Sequence, residues 1–322
     1  MLRCPATIPM AKPLTYNATL TRRVDLTDKL ATFTLTPDAP LATSGAWFVP
    51  GQYVALGLNN EAVPEKGSVS RAMSIASAPQ VLDTAEFYIR YVTHPESDNP
   101  LTHLLWKIGE GDRMRMRPKP TGKFTLKDTV GDGDTRKKIY VAAGTGLAPF
   151  LCIARAALLD DDKADLSEHV ILHGASYPDD LGYREEIYRM VEQNKLNYYG
   201  TISRPKEAPG WAGDTGRVED YFLPDRLGDL EERLGLGYGG MTPDNAAVLV
   251  CGLQGTISQS ILRLMGRGFV PDNRKVRRAL EVPDDVRPSL FFEQYDNTPV
   301  IDLDDADLMS RLKDELHTAL GR

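Results

Sequence analysis

Lys137-Lys-Ile-Tyr-Val-Ala-Ala-Gly-Thr-Gly-Leu-Ala-Pro-Phe150 is the stretch that decides the fold of this chain. Its short apolar run is typical of a parallel strand that is covered on both faces. Gly144 and Gly146 then permit a sharp turn and the close approach of another backbone or a ligand. Pro149 suits the first turn of a helix, where its missing N–H removes a group that has no intrahelical partner. The stretch therefore predicts a strand, a glycine turn and a helix in direct succession.

A glycine turn that leads into a helix is also a potential phosphate site. The first N–H groups of the helix are free, and the positive end of the helix dipole attracts an anion. The dinucleotide fingerprint, however, has a third glycine where this chain has Pro149, and no acidic residue stands at the spacing expected for a ribose contact. Taken singly, the turn is explained equally well as a tight structural connection.

The residues before this stretch predict an antiparallel β domain. From residue 16 to about residue 130, short segments of alternating hydrophobicity are separated by turn residues. Many short strands at this spacing favour a Greek-key β-barrel, with one helix inserted over Leu101–Ile108. The predicted strands are Tyr16–Asp25, Leu30–Thr36, Tyr53–Leu58, Ser70–Ser77, Glu86–Tyr91 and Asp112–Met116.

The residues after it alternate between β and α, which indicates a parallel sheet with helices on both faces, an α/β domain. Strands are predicted at 138–143, 168–174, 196–202 and 246–251, and helices at 148–159, 183–194, 217–223 and 255–267. We therefore expect a barrel domain over 1–130 and an α/β nucleotide-binding domain over 136–296, with a glycine- and aspartate-rich linker between them. A tail, 297–322, contains leucines spaced four apart, which predicts an amphipathic helix.

Composition excludes several classes of protein. The 322 residues carry a net charge of −7, which argues against non-specific nucleic-acid binding. Cys4, Cys152 and Cys251 are too scattered for a disulfide framework or a thiolate metal cluster. His169 and His173 would stand about 13 Å apart along a strand, too far for one zinc ion. No run approaches the roughly 20 apolar residues of a membrane span, so we expect a soluble cytoplasmic protein with no metal site.

A second informative stretch, Ser70–Pro79, lies on a predicted strand of the barrel. The planar fork of Arg71 is suited to a pyrophosphate. Met73 is able to lie against an aromatic ring through its polarisable sulfur, and Ser74 to hydrogen-bond a ring nitrogen. An ordinary edge strand with one solvated arginine is the alternative explanation.

Together the two halves resemble the ferredoxin–NADP⁺ reductase superfamily, particularly its bacterial branch, over about residues 16–296. Arg71-Ala-Met-Ser74 is similar to the family's Arg-x-aromatic-Ser, and Gly144-Thr-Gly-Leu-Ala-Pro149 to the opening of its nucleotide-binding half. The resemblance implies an enzyme that binds FAD and NADP(H) and exchanges electrons with ferredoxin or flavodoxin. It also implies a hydride transfer to the flavin N5, followed by one-electron steps.

The resemblance further assigns flavin contacts within the barrel. Ser74 would be a catalytic residue near the flavin ring. Met73 departs from the family, which has an aromatic residue there, so we expect one face of the flavin to be covered more loosely. The implied contacts are Arg71, Ala72, Met73 and Ser74 on one strand, Tyr88 and Ile89 on another, and Pro100, Leu101 and Thr102 at the helix start, where N–H groups and a hydroxyl would meet the pyrophosphate.

In the second half, the resemblance assigns contacts with the nicotinamide coenzyme. Arg204 and Arg217 would grip the 2′-phosphate of NADPH, because charge-assisted hydrogen bonds contribute roughly 1.5–3 kcal/mol each and NADH offers nothing to receive them. Ser176 stands where the bacterial branch often has a third arginine, which predicts weaker selectivity. The other implied contacts are Thr145, Gly146, Ser203 and Gly252, together with Cys251 near the nicotinamide and Tyr295 against the flavin, both as catalytic residues.

Basic residues stand out against the acidic chain, and they suggest a partner. Clusters occur at Arg113–Lys123, Arg136–Lys138 and Arg274–Arg278. They are either solvated faces or a docking site for a small acidic electron carrier. Alternative functions are the reductase component of an oxygenase, a free-flavin reductase, or a non-catalytic flavin- or nucleotide-binding subunit, which the Met73 departure would favour. Three cysteines are too few for a fused iron–sulfur domain.

Overall fold

The structure, a computed structural model, describes residues 13–295 and 298–321. The chain divides into two compact units, the first ending at Gly122 and the second beginning at Lys123. The described residues of the first unit, 13–122, contain six strands and one α-helix: β1 (Ala18–Thr27), β2 (Leu30–Pro37), β3 (Tyr53–Asn59), β4 (Ser68–Ser74), β5 (Ala85–Arg90), α1 (Leu101–Leu105) and β6 (Arg113–Met116).

The six strands close into a barrel. They are antiparallel and lie in the order β4-β3-β6-β1-β2-β5. The two ends of this sheet meet just beyond β4, where Ile75 bridges Phe87 and the N–H of Ala76 donates to the carbonyl of Glu86 at 2.8 Å. Alternating side chains fill the interior, including the fully buried Leu20, Phe33, Leu56 and Phe87. The predicted antiparallel barrel is therefore confirmed.

The second unit is built on a parallel sheet in the order β10-β9-β8-β7-β11-β12. Every residue of β11 is buried, as expected of a strand covered on both faces. The elements are α2 (Leu126–Thr129), β7 (Lys137–Ala143), α3 (Ala148–Asp160), β8 (His169–Ala175), α4 (Arg184–Asn194), β9 (Asn197–Ile202), β10 (Asp214–Thr215), α5 (Pro224–Arg233), β11 (Ala246–Gly252), α6 (Gln254–Met265), α7 (Arg274–Ala279), β12 (Leu290–Gln294) and α8 (Ala306–Ala319).

Some elements differ from the sequence-based expectation. The helix expected at 217–223 is a 3₁₀ helix over Val218–Phe222, and α5 follows it after one residue. α5 was not predicted, although its buried Leu227 and Leu230 are three residues apart. Residues 130–135, the expected linker, lie inside the second unit, where the buried carboxylate of Asp134 pairs with Arg136 at 2.8 Å.

The tail helix packs onto the second unit. Leu312 and Leu316 of α8 are buried in its core, and the helix contacts α6. Lys313 forms an ion pair with Glu281 at 2.7 Å. None of the helices within 13–295 and 298–321 combines the length and the hydrophobicity that a membrane span requires.

Candidate functional site

The residues predicted for coenzyme binding follow the carboxyl ends of all six strands of the parallel sheet. Because parallel strands point the same way, the residues that follow them share one edge of the sheet, which is where open α/β sheets bind ligands. Thr145 and Gly146 follow β7, Ser176 follows β8, Ser203 and Arg204 follow β9, Arg217 follows β10, Cys251 and Gly252 end β11, and Tyr295 follows β12. Segments far apart in sequence thus meet at one edge.

The glycine turn after β7 is packed directly against β11. Gly144 has a φ of +55°, a conformation that favours glycine. A Cβ on Gly146 would lie 2.0 Å from the carbonyl oxygen of Cys251, so no side chain fits there. Residues 144–147 form a 3₁₀ turn, and α3 begins at Ala148 with Pro149 in its first turn. The predicted succession of strand, glycine turn and helix is therefore correct.

His173 fixes this turn from the neighbouring strand, and the sequence did not reveal that role. Its side chain is completely buried, and its Nε2 lies 3.1 Å from the carbonyl oxygen of Gly144. A carbonyl only accepts, so Nε2 donates, and Nδ1 accepts from the Tyr198 hydroxyl at 3.2 Å. Burial lowers the pKa of His173 to about 4, which keeps the ring neutral near pH 7.

Cys251 and Tyr295 meet at the centre of the edge. The Cys251 thiol donates to the Tyr295 hydroxyl, with Sγ and Oη 3.3 Å apart. Burial raises the pKa of the Cys251 thiol well above its usual value, with a further contribution from Glu293, so the sulfur stays protonated and is a poor nucleophile. Burial of the hydroxyl likewise raises the pKa of Tyr295, while a hydrogen bond with Thr145 opposes the shift. The three residues form an uncharged cluster, although 45% of the Tyr295 surface is exposed.

The two predicted phosphate-binding arginines are both exposed. The backbone N–H of Arg204 donates to the Ser176 carbonyl at 3.2 Å, which ties the loops after β8 and β9 together. The guanidinium of Arg204 lies over the ring of Tyr177, 5.5 Å from its centroid, and donates to the Tyr177 hydroxyl at 3.0 Å. Arg217 is 73% exposed at the end of β10. Tyr177, next to Ser176, is a further residue of this edge that the sequence did not single out.

In the first unit, β4 presents the segment predicted to contact the flavin. Arg71 and Met73 pair with Leu56 and Val54 of β3, so their side chains leave the sheet on the same face. Arg71 is exposed, and its Nη1 donates to the Ser70 carbonyl at 2.9 Å. Met73 is half-buried, as is Ser74, whereas Ala72 is exposed.

The other predicted flavin segments lie next to β4. Tyr88 and Ile89 of β5 are buried, β4 packs against β5, and α1 contacts β3 and β4. Pro100 precedes α1, and the N–H groups of Leu101 and Thr102 stand in its first turn, where a helix leaves donors without intrahelical acceptors. The Thr102 hydroxyl is buried and accepts from the N–H of Val92 at 3.3 Å.

Known proteins are similar to this chain in sequence and in fold, and the similarity to several of them extends over both units. Residues 140–260 match the Oxidoreductase NAD-binding domain family. The chain is 30% identical over 233 residues to a ferredoxin–NADP reductase of Azotobacter vinelandii, which covers 69% of this chain and 80% of that relative. Its fold is similar to that of a ferredoxin NADP⁺ reductase from Neisseria gonorrhoeae with bound FAD and NADP, with a TM-score of 0.66 and 20% identity over 88% of this chain and 98% of that one. A cytochrome P450 reductase from Amycolatopsis is similar at a TM-score of 0.60 and 21% identity, over 89% and 70% of the respective chains.

Proposed function

The chain belongs to the ferredoxin–NADP reductase family, a flavin oxidoreductase family whose cofactors are FAD and NADP(H), and from this premise we propose that it is an NADPH-dependent reductase that exchanges electrons with a ferredoxin or a flavodoxin. One observation carries the proposal for this chain. Arg204 and Arg217 follow the adjacent strands β9 and β10, at the sheet edge that also holds the glycine turn and the Cys251–Tyr295 cluster.

The residues of each unit fit the cofactor assigned to it. At the parallel sheet, the exposed guanidinium groups of Arg204 and Arg217 suit the 2′-phosphate, and the glycine turn admits the close approach of a backbone or ligand. In the barrel, Arg71 is exposed and, in the described part of the chain, has no carboxylate partner, which leaves its fork available to a pyrophosphate. The free N–H groups at the start of α1 are additional donors for the same anion.

In this mechanism the residues of the chain bind the cofactors, orient them and keep charged side chains away from the reacting rings. The chemistry that FAD supplies when bound is exchange between a hydride donor and one-electron acceptors. Cys251 and Tyr295, whose pKa values burial raises further above neutral pH, give the nicotinamide edge of the sheet an uncharged lining. Gly146 packs on Cys251 and so holds the glycine turn next to this lining. Ser74 holds its hydroxyl at the end of β4, as a hydrogen-bond donor for a flavin ring nitrogen.

Unpaired cations on the barrel support a docking site for an acidic carrier. Arg113 of β6 pairs with Asp38 and also donates to Thr19 at 2.8 Å. In the part of the chain that the structure describes, Arg115, Arg117 and Lys119 form no ion pair, so their charges remain available to a partner. Positive charge that the protein does not neutralise itself attracts a negatively charged partner and accelerates encounter.

The proposal is tested by the colour and the electron acceptors of the purified protein. We expect a yellow protein whose flavin absorption is bleached by NADPH without oxygen and restored by oxidised ferredoxin or flavodoxin from the same host. A colourless protein that takes up no flavin would instead indicate a non-catalytic subunit. If NADPH bleached the flavin but the electrons passed only to free flavin, or only to an oxygenase, the acceptor would be that molecule and not ferredoxin or flavodoxin.

A further inference from the structure

Arg204 is already engaged by a carboxylate. Its Nη1 lies 3.8 Å from Oε1 of Glu207, three residues further along the chain. The other oxygen of Glu207 accepts from the Tyr177 hydroxyl at 2.7 Å, and that hydroxyl also accepts from Arg204 at 3.0 Å. Arg204, Tyr177 and Glu207 therefore form a closed triangle of contacts at the carboxyl edge of the sheet.

The backbone fixes Glu207 in this triangle. Pro205–Glu207 is a 3₁₀ helix, and the N–H of Glu207 donates to the carbonyl of Arg204 at 3.1 Å. The carboxylate is nevertheless 58% exposed, so it is not there to stabilise a buried charge. Arg217 has a carboxylate of its own, since Glu219 lies 4.0 Å from its Nη1. Each guanidinium assigned to the 2′-phosphate is thus matched by one negative charge.

We propose that Glu207 sets the coenzyme preference of this enzyme by competing with the 2′-phosphate for Arg204. The inference rests on the proposed function and adds to it a residue that opposes NADPH selectivity. A phosphate dianion beside Arg204 has to displace Glu207 or tolerate its charge, whereas NADH brings no group that Glu207 repels. Glu207 therefore reduces the difference in affinity between NADPH and NADH, and it does so without contacting the reacting atoms.

The effect is of moderate size, because the site is exposed. Two unit charges about 4 Å apart in water interact by roughly 1 kcal/mol, which corresponds to about a fivefold change in binding. The second charge of the phosphate strengthens its repulsion by Glu207, whereas solvent exposure of the site weakens it. We therefore expect a change in binding of about three- to tenfold. Replacement of Glu207 by Gln retains the acceptor for Tyr177 and removes only the charge.

The experiment compares E207Q with a matched control, E168Q, in the holoenzyme. Glu168 precedes β8 at the opposite edge of the same sheet, is 51% exposed and pairs with Lys137 at 3.3 Å, so its removal costs an equivalent surface ion pair. The first readout is calorimetric titration with adenosine 2′,5′-bisphosphate, which carries the 2′-phosphate without nicotinamide, and with AMP as the unphosphorylated reference. The second readout is the ratio of kcat/KM for NADPH to that for NADH.

We expect E207Q to bind adenosine 2′,5′-bisphosphate about three- to tenfold more tightly and to raise the NADPH to NADH ratio by the same factor, with AMP and NADH unchanged. E168Q should match the wild type in both readouts. Unchanged or weaker bisphosphate binding by E207Q would overturn the inference, while a lowered ratio in R204A would still support the proposed function. If R204A left the ratio unchanged, the phosphate assignment itself would be wrong, and any gain in E207Q would not act through Arg204.

Discussion

Arg204 and Arg217 are the residues that we propose to determine coenzyme choice. Replacing both with Ala should raise the KM for NADPH by about ten- to a hundredfold, because a phosphate loses two charge-assisted partners in an exposed site. The KM for NADH should hardly change. Steady-state kinetics with both coenzymes provides the measurement, and Arg189→Ala, an exposed arginine of α4, is the control. Equal losses with NADPH and NADH would contradict the assignment.

Gly146 is required by the backbone of a neighbouring strand. Gly146→Ala should lower the free energy of unfolding by about 1–3 kcal/mol or more, since its Cβ would meet the Cys251 carbonyl oxygen and force the turn away from β11. Gly255→Ala is the matched control, because its Cβ meets nothing within 4 Å near the start of α6. That variant should be neutral or slightly stabilising. Urea unfolding of both variants measures these changes. An unchanged free energy of unfolding in Gly146→Ala would show that the structure relaxes to accommodate the added Cβ.

Met73 stands where the family resemblance implies an aromatic residue. Met73→Tyr should bind FAD more tightly and shift the flavin absorption bands, because a stacked aromatic adds about 0.5–1.5 kcal/mol beyond area burial. The half-burial of Met73 leaves room for this, whereas a fully buried side chain would not. Flavin titration and a thermal melt provide the measurements. A lower melting temperature with unchanged flavin affinity and spectrum would count against stacking.

Sequence predicted local backbone structure well where a motif constrained it. The glycine turn was found because strand, glycines and proline follow one another directly. His173 was considered only as a metal ligand, since the carbonyl that it contacts lies 29 residues away, in the turn after β7. Tyr177 and Glu207 were missed for a similar reason, because their significance comes from Arg204, which only the fold brings close to Tyr177.

The strand β8 makes stability depend on pH. Burial lowers the pKa of both His169 and His173 to about 4, with Lys138 adding to the shift of His169, whereas an unfolded histidine titrates near 6.5. Between those values the unfolded state binds more protons, so stability rises with pH and is lost as pH falls from about 6.5 towards 4. Each histidine should cost about 2 kcal/mol between pH 7 and pH 5.

Urea unfolding at pH 7 and pH 5 measures this dependence. His169→Gln should reduce the difference between the two pH values, because the variant lacks one of the two buried titrating groups. His94→Gln, at an exposed position, should retain the full difference. A pH dependence that is identical in His169→Gln and in the wild type would show that other groups are responsible.

Whole elements were predictable when their hydrophobic period was long enough to recognise. All six barrel strands and the four long strands of the parallel sheet were found within three residues of their ends. α5 was missed because Pro224 follows the preceding 3₁₀ helix so closely that its start resembles a break. β10 has only two residues, and no periodicity exists at that length. It is a strand because β9 offers it hydrogen-bonding partners.

At the scale of the whole molecule, charge distribution predicts how a partner is recruited. The chain carries −7 overall, yet Arg115, Arg117 and Lys119 form no ion pair with any residue that the structure describes. Arg115→Glu combined with Arg117→Glu should slow reduction of an acidic carrier about tenfold or more at low salt and flatten its dependence on ionic strength. Stopped-flow kinetics over a salt series provides the measurement. Lys163→Glu, directly after Asp160–Asp162, is the control, and because it changes the net charge by half as much, an effect about half as large on the logarithm of the rate would mean that only net charge matters.

The order of the two units along the chain was clear from sequence, because the barrel region alternates with period two and the second region alternates between strands and helices. Residues 130–135 were less predictable. Their glycines and aspartates look like a linker, but Asp134 is buried and paired, which composition alone does not reveal. The ion pair depends on Arg136 and Lys138, residues that the sequence assigned to the next domain.

The placement of the proposed coenzyme residues at or just beyond the carboxyl ends of the strands has a consequence for how such a protein diverges. On the proposed assignment, substitutions in residues 203–217 should alter which coenzyme the enzyme accepts, while the fully buried β11 remains unchanged. Coenzyme preference and the stability of the fold therefore depend on different residues, and each property can evolve without changing the other. A graft of this segment that keeps Asp214, whose carboxylate accepts from Tyr221 and Arg233, should therefore transfer the coenzyme preference of a relative while leaving the core of the sheet unchanged.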